Sequence, residues 1–254
     1  MDLQLNGTRV LVTGGTRGIG RAIVEAFLDE GATVGFCARD ADEVAATEQA
    51  LKDRGSGTLT GAVLDVGDAD ALAAWVEESA GAFGGLDVVV ANVSAIAIPD
   101  TEENWQTSLN VDLMHTVRLV RAAMPHLERS QAPSIIAISS VSGRESDFAS
   151  GPYGTAKTAI VGYINGLALQ LAEKGIRANT VSPGNTYFEG GVWASIESDN
   201  PEFFETAVGL NPTGHMGTPE DIAGPVVFLA SPKARRVSGT NLVVDGALTR
   251  GIQL

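Results

Sequence analysis

Residues 8–13 read TRVLVT and residues 14–20 read GGTRGIG, a short apolar run followed at once by a glycine-rich one. Behind them, Ile23, Ala26 and Phe27 recur at helical spacing between Arg21 and Glu30. The local order is therefore strand, tight turn, helix. Small residues in such a turn let the backbone approach a pyrophosphate, and the helix amino end offers amide donors to it. The glycines fall at 14, 18 and 20, a three-residue gap and then a one-residue gap, which differs from the usual dinucleotide spacing.

Outward from this turn the pattern repeats. Strands are expected over 32–38, 58–64, 86–91, 134–139, 177–181 and 241–244, the run at 86–91 being almost uninterrupted in apolar residues, as a central parallel strand covered on both faces should be. Helices are expected over 42–54, 68–83, 101–128 and 153–173, and another restarts at Thr218, Pro219 and Asp221 with cap, first-position proline and acidic third residue. Pro225 falls inside that helix and predicts a kink or a shifted start. The alternation argues for an α/β fold, a single-domain Rossmann-like doubly wound parallel sheet with helices on both faces. Between Asn185 and Gly217 lies the longest irregular region, holding Tyr187, Phe188, Trp193, Phe203, Phe204, His215 and Met216. A segment of that length near strand carboxyl ends predicts a substrate lid, with short helices at 191–196 and 202–208.

The 254 residues are 44% hydrophobic, enough for one sizeable core, and show no compositional break, so one domain over 1–254 is expected. Thirty-one acidic residues against seventeen basic give a formal charge of −14, which disfavours nucleic acid and anionic membrane as partners, and more weakly an acidic carrier protein. Arg118, Arg121, Arg129, Lys174 and Arg177 read as solvated helix faces rather than a basic patch. One cysteine, Cys37, excludes an internal disulfide framework, and its apolar strand context makes it a core residue. Histidines at 115, 126 and 215 are scattered, so no metal site is expected. With no leader pattern and no run of about eighteen apolar residues, a cytoplasmic protein is expected.

Chemistry concentrates in ISSVSG, from Ile138, and YGTAK, from Tyr153. Ser140 sits just past the end of a strand. Tyr153 and Lys157, four apart at a helix start, project from one face on successive turns. A lysine charge beside a phenol favours phenolate and makes the tyrosine a better proton donor to a developing alkoxide. A serine hydroxyl held opposite can bond the same substrate oxygen. At the end of the second strand no carboxylate stands ready for a ribose hydroxyl. Arg39, with Arg17, can instead clamp a 2′-phosphate through charged forks, the alternative being two surface arginines beside Asp40 and Asp42. Asp65 either accepts from an adenine amino group or caps the helix that follows. Asn110, polar within a mostly apolar helix face, either links backbone groups or holds an active-site water.

Together, Thr13 to Gly20, Asn92, Asn110, Ser140, Tyr153, Lys157 and Pro183–Gly184 resemble the classical short-chain dehydrogenase/reductase family, over nearly the whole chain, including its 3-oxoacyl-[acyl-carrier-protein] reductase-like members. The resemblance implies a Rossmann-like enzyme, a homotetramer or homodimer, that moves a hydride between a nicotinamide cofactor and a small-molecule carbonyl or alcohol without metal. Thr13, Gly14, Thr16, Arg17, Gly18, Ile19 and Gly20 would then form the cofactor-phosphate turn, Asp65 and Val66 would meet adenine, and Asn92 would steady the sheet beside the cofactor. Asn110 would anchor a water in a proton relay, Ser140 would orient the carbonyl, and Tyr153 would give or take the proton. Lys157 would bind the nicotinamide ribose and lower the tyrosine pKa. Pro183 and Gly184 would border the nicotinamide, with Thr186 or Asn185 replacing a carboxamide contact, since Phe188 stands where the family commonly has threonine. Asn92 is followed by Val93 and Ser94 rather than alanine and glycine, which adds bulk on that side. NADPH is the expected cofactor, ahead of NADH. A ketone/secondary-alcohol oxidoreductase is the leading reading, a 3-oxoacyl-thioester reductase the alternative, and a non-catalytic cofactor-binding scaffold a remote one.

Overall fold

The computed structural model describes residues 2–251. In chain order the main elements are β1 (Arg9–Thr13), α1 (Gly18–Asp29), β2 (Thr33–Ala38), α2 (Ala41–Leu51), β3 (Leu59–Val63), α3 (Ala69–Phe83), β4 (Val88–Ala91), α4 (Glu102–Thr107), α5 (His115–Leu127), β5 (Ser134–Ile138), α6 (Pro152–Leu171), β6 (Arg177–Pro183), α7 (Val192–Asp199), α8 (Pro201–Gly209), α9 (Pro219–Ala230) and β7 (Asn241–Val244). The described residues form a seven-stranded sheet in the order β3-β2-β1-β4-β5-β6-β7, parallel throughout.

Alternation along the strands builds the two faces. In β1, Val10 and Val12 join one core with Ile23 and Phe27 of α1, Val44 of α2 and Ile222 and Val226 of α9, while Leu11 points to the other side. The second core packs Leu72 and Trp75 of α3, Leu119 and Ala123 of α5 and Ile160 and Ile164 of α6 against Val89 and Ile135. A sheet buried on both faces explains why β1, β4 and β5 read as unbroken apolar runs. The strand order reverses between β1 and β4, and a crevice opens there beyond the strand carboxyl ends.

Three expectations need correction. The helix expected over 101–128 is interrupted by a π-helical stretch, Ser108–Met114, between α4 and α5. Second, the shifted start allowed for at Pro225 does not occur: α9 starts where its cap and proline place it, with Thr218 and Asp221 completing a reciprocal capping box, and Pro225 lies inside the helix, which ends at Ala230. Third, Arg177 is no solvated residue: it is 9% exposed, and its guanidinium donates to the carbonyls of Leu229, Ala230 and Ser231 at the carboxyl end of α9. A buried cation there meets carbonyls that the helix leaves without partners. Residues 248–254 read in the sequence as an apolar-tipped tail, of which 252–254 lie outside the described residues.

Candidate active site

The glycine turn is fixed by close approach as much as by dihedral angle. Gly14 and Gly18 take positive φ, +71° and +53°. A Cβ on Gly20 would lie 1.9 Å from the Gly14 carbonyl oxygen, a backbone atom that cannot swing aside. Asn92, just past β4, ties the turn to the sheet: its side-chain amide donates to Thr13 O at 2.9 Å and Gly14 O at 3.3 Å, and its N–H to Thr13 Oγ1 at 2.9 Å. α1 begins with Arg17 at its N-cap position, and no Arg17 side-chain bond caps it. Its first amides are left to an external acceptor, so the cradle fits a dinucleotide pyrophosphate.

A cleft of about 960 Å³ runs from this turn across the strand ends. Ile19, Asp65 and Val66 line one end, as do Arg17 and Arg39, both exposed and neither in an ion pair among the described residues. The Asp40 carboxylate is turned back to cap α2, accepting from the Asp42 and Glu43 amides at 2.9 and 3.0 Å. Thr16 lines the cleft, but its hydroxyl donates to Glu43. The cap of α3 is Asp68; Asp65 closes its own turn through the Gly67 N–H at 2.8 Å. Cys37 lies beneath, its thiol pushed up to about 12 by burial, against a smaller lowering from the Gly14 amide, and is no nucleophile at neutral pH.

At the other end, β5 delivers Ser140, whose Oγ accepts the Ser142 N–H at 3.1 Å. Gly151 and Pro152 start α6, so Tyr153 and Lys157 stand on its first two turns. The Lys157 ammonium, 2% exposed, donates to Ile138 O at 3.2 Å and sits 5.5 Å from the Tyr153 ring centroid. The loop between Ser140 and α6 packs tightly: a Cβ on Gly143 would lie 2.8 Å from the Lys157 carbonyl carbon. Ser140, Tyr153 and Lys157 thus meet in one cleft, with Pro183, Gly184 and Thr186 across from them. Thr186 is 8% exposed and donates to Gly184 O.

Asn110 does not join them. Its amide reaches Gly67 O at 3.4 Å and its carbonyl accepts from Arg118 at 2.7 Å, a link between helix α5 and the turn after β3. The side chain brought to Lys157 is that of Asp112, two residues on. Both lie in the π-helical stretch, where residues two apart point to nearly opposite sides, so only one of them can face Lys157. Asp112 is fully buried, its Oδ1 3.2 Å from Lys157 Nζ; the same oxygen accepts a very short bond from Ser94 Oγ, and Oδ2 accepts from the Ala95 N–H at 3.3 Å. His115, one turn further, bonds Thr13 Oγ1 through Nε2 at 3.2 Å and Val111 O through Nδ1. Burial is the first cause pushing the imidazole down to about 4, so it is neutral at pH 7. A signal for Asp112 was available: it shares its stripe with Thr116, Leu119 and Ala123, all buried.

The 185–217 segment folds over the catalytic end. Its two feet are joined: Tyr187 N–H donates to Gly217 O and Gly217 N–H to Asn185 O, each at 2.9 Å. α7 and α8 stand where two short helices are expected, and their Trp193 and Phe203 pack edge-on against Phe148, from the loop beside Ser140, at 5.7 and 5.3 Å. Phe188 lies on the glycine turn, since a Cβ on Gly18 would meet its ring at 2.5 Å. Among the described residues there is no cluster of metal-ligating side chains and no helix long and apolar enough to cross a membrane.

The family model described as enoyl-(acyl carrier protein) reductase matches residues 14–249. An isoepoxydon dehydrogenase of Penicillium expansum is 41% identical over 253 residues, covering 98% of this chain and 97% of that one. A 3-oxoacyl-[acyl-carrier-protein] reductase of Vibrio harveyi is 30% identical, covering 97% and 99%. The structure of L-sorbose reductase from Gluconobacter frateurii, complexed with NADPH and L-sorbose, superposes with a TM-score of 0.92 at 26% identity, covering 99% and 100%.

Proposed function

The chain belongs to the classical short-chain dehydrogenase/reductase family, nicotinamide-dependent oxidoreductases of the ketone/alcohol type acting on small molecules, and from that premise we propose that it interconverts a ketone and a secondary alcohol with NADPH, using Tyr153 as proton donor and acceptor. The observation that carries the reading is the meeting of Ser140, Tyr153 and Lys157 beside a glycine cradle in one cleft. Bound there, the cofactor supplies or accepts a hydride at the substrate carbon. Ser140 holds the substrate oxygen, Tyr153 delivers a proton to it in reduction and removes one in oxidation, and Lys157 favours the phenolate. The apolar walls from Ile96, Ile98, Phe148 and Trp193 favour a ketone with an apolar or aromatic body.

NADPH is preferred in this account because Arg39, just past β2, and Arg17, at the start of α1, both line the cleft, free of ion pairs among the described residues, and could grip a 2′-phosphate, and because the L-sorbose reductase superposed above holds NADPH. A homotetramer, or a homodimer, is proposed with it: on the outer face of α6, Leu169 is 82% exposed and Gly162 and Gly166 leave open space. A cytoplasmic location accompanies the reading. A 3-oxoacyl-thioester reductase is the second reading, favoured by the Vibrio harveyi relative's name and opposed by the charge of −14.

The test is cofactor oxidation with NADPH and NADH over small ketones, bulky aromatic ketones and 3-oxoacyl thioesters. Turnover of free ketones with NADPH is expected, and Arg39→Asp should weaken NADPH roughly tenfold or more while leaving NADH little changed. Equal loss for both cofactors would remove the phosphate role. Preference for thioesters would move the assignment to the second reading, and cofactor binding without turnover would favour a scaffold.

A further inference from the structure

The buried carboxylate against Lys157 has no part in the mechanism above. Asp112 has no solvent exposure and Lys157 only 2%, so neither charge is screened by water and each acts strongly on its neighbours. The carboxylate oxygen 3.2 Å from Nζ is nearer to the ammonium than is the Tyr153 ring, whose centroid lies at 5.5 Å. A lone ammonium at that distance pulls the phenol towards phenolate; one paired with a carboxylate is nearly neutral overall and pulls far less.

We propose that Asp112 is a positioning residue whose carboxylate, held by Ser94 and the Ala95 amide, offsets the charge of Lys157 and so makes Tyr153 a weaker acid than a lysine alone would. An amide in the same place could accept a hydrogen bond from Lys157 but could not cancel its charge. The π-helical stretch from Ser108 to Met114 carries the carboxylate to this spot, and Thr116 Oγ1 anchors the backbone there by donating to Asp112 O at 3.0 Å. The other titratable groups near the pair are few. His115, on the next turn of the same helix, is neutral at working pH. Asp147, across the cleft, is engaged by Ser142 Oγ and the Ala149 N–H. Arg17, Arg39, Asp40, Glu43 and Asp65 line the far end.

The consequence for the reaction rests on Tyr153 being the proton donor; the electrostatic link itself does not, and it can be read without a substrate. The experiment is a near-ultraviolet titration of phenolate absorbance in the full chain, with the Tyr153 signal isolated by subtracting the curve of Tyr153→Phe in each background. Asp112→Asn should move the Tyr153 midpoint to lower pH by about one unit. Ser94→Ala removes a donor from the carboxylate, leaves more of its charge for Lys157, and should move the midpoint up by roughly a few tenths of a unit. A midpoint unchanged or raised in Asp112→Asn overturns the proposal. Should that variant fail to fold, Ser94→Ala decides, and no upward shift there overturns it. If the shifts occur while Tyr153→Phe keeps full turnover, the role of Tyr153 in the proposed reaction falls and this inference stands.

Discussion

The two ends of the cleft are built differently. The cofactor end is made of backbone: Gly14, Gly18 and Gly20, the Asn92 amide on two carbonyls, and an α1 terminus that no Arg17 side-chain bond caps. The catalytic end, with the 185–217 segment over it, is made of side chains: Asp112 on Lys157, Phe148 on Trp193 and Phe203, and Phe188 laid over the turn. A backbone site tolerates almost no substitution and is the same for any substrate. A side-chain site can be re-cut one residue at a time, so substrate choice belongs there.

The contrast breaks most sharply at Gly20. Gly20→Ala puts a methyl 1.9 Å from the Gly14 carbonyl oxygen and 2.5 Å from the Asn92 amide. It should weaken either nicotinamide cofactor by roughly 10- to 100-fold, measured by fluorescence titration. Unaltered binding would mean that the turn is not the cofactor cradle.

At the other end, Trp193→Ala removes a side chain 6% exposed from the aromatic cluster with Phe148 and Phe203. It should raise KM for a bulky ketone roughly tenfold while cofactor affinity stays within about twofold. Equal effects on both would erase the division between the two ends.

A smaller effect sits where the ends touch, at His115 against Thr13. Its folded pKa of about 4 lies below the unfolded value near 6.5, so the unfolded chain binds the extra proton first as pH falls. Stability from this group is full above the unfolded value and is lost as pH falls from about 6.5 towards 4, amounting to about 2 kcal/mol between pH 7 and pH 5. Urea midpoints at those two pH values should show it, and the difference should shrink by about that amount in His115→Asn.

How much was legible in the sequence follows the same division. Strands β1, β4 and β5 read correctly because burial on both faces leaves a run of apolar residues that nothing else explains. The glycine turn read correctly because close backbone approach forces residue type. Tyr153 and Lys157 were legible as a pair because one helical turn fixes their separation, whereas Ser140, a loop away, was joined to them by the family resemblance. Of the two readings left open for Asn110, the structure has the link, to Gly67 and Arg118; Asp112, on the buried stripe with Thr116, Leu119 and Ala123, is the residue that reaches Lys157. Arg177 was misread because a buried cation is recognisable only once the carbonyls it meets, from Leu229 to Ser231, are brought from elsewhere in the chain. The two short helices of the 185–217 segment were visible, but not the partner they pack on, Phe148, which lies in a different loop.

The central claim is that a proton leaves Tyr153 as hydride is transferred in the same cleft. Its most direct measurement is single-turnover oxidation of pre-bound NADPH by a reactive ketone, in the natural chain and in Tyr153→Phe. The account predicts that loss of the hydroxyl slows that step on the order of 100- to 10,000-fold while cofactor affinity is unchanged. Equal rates in the two proteins would contradict it.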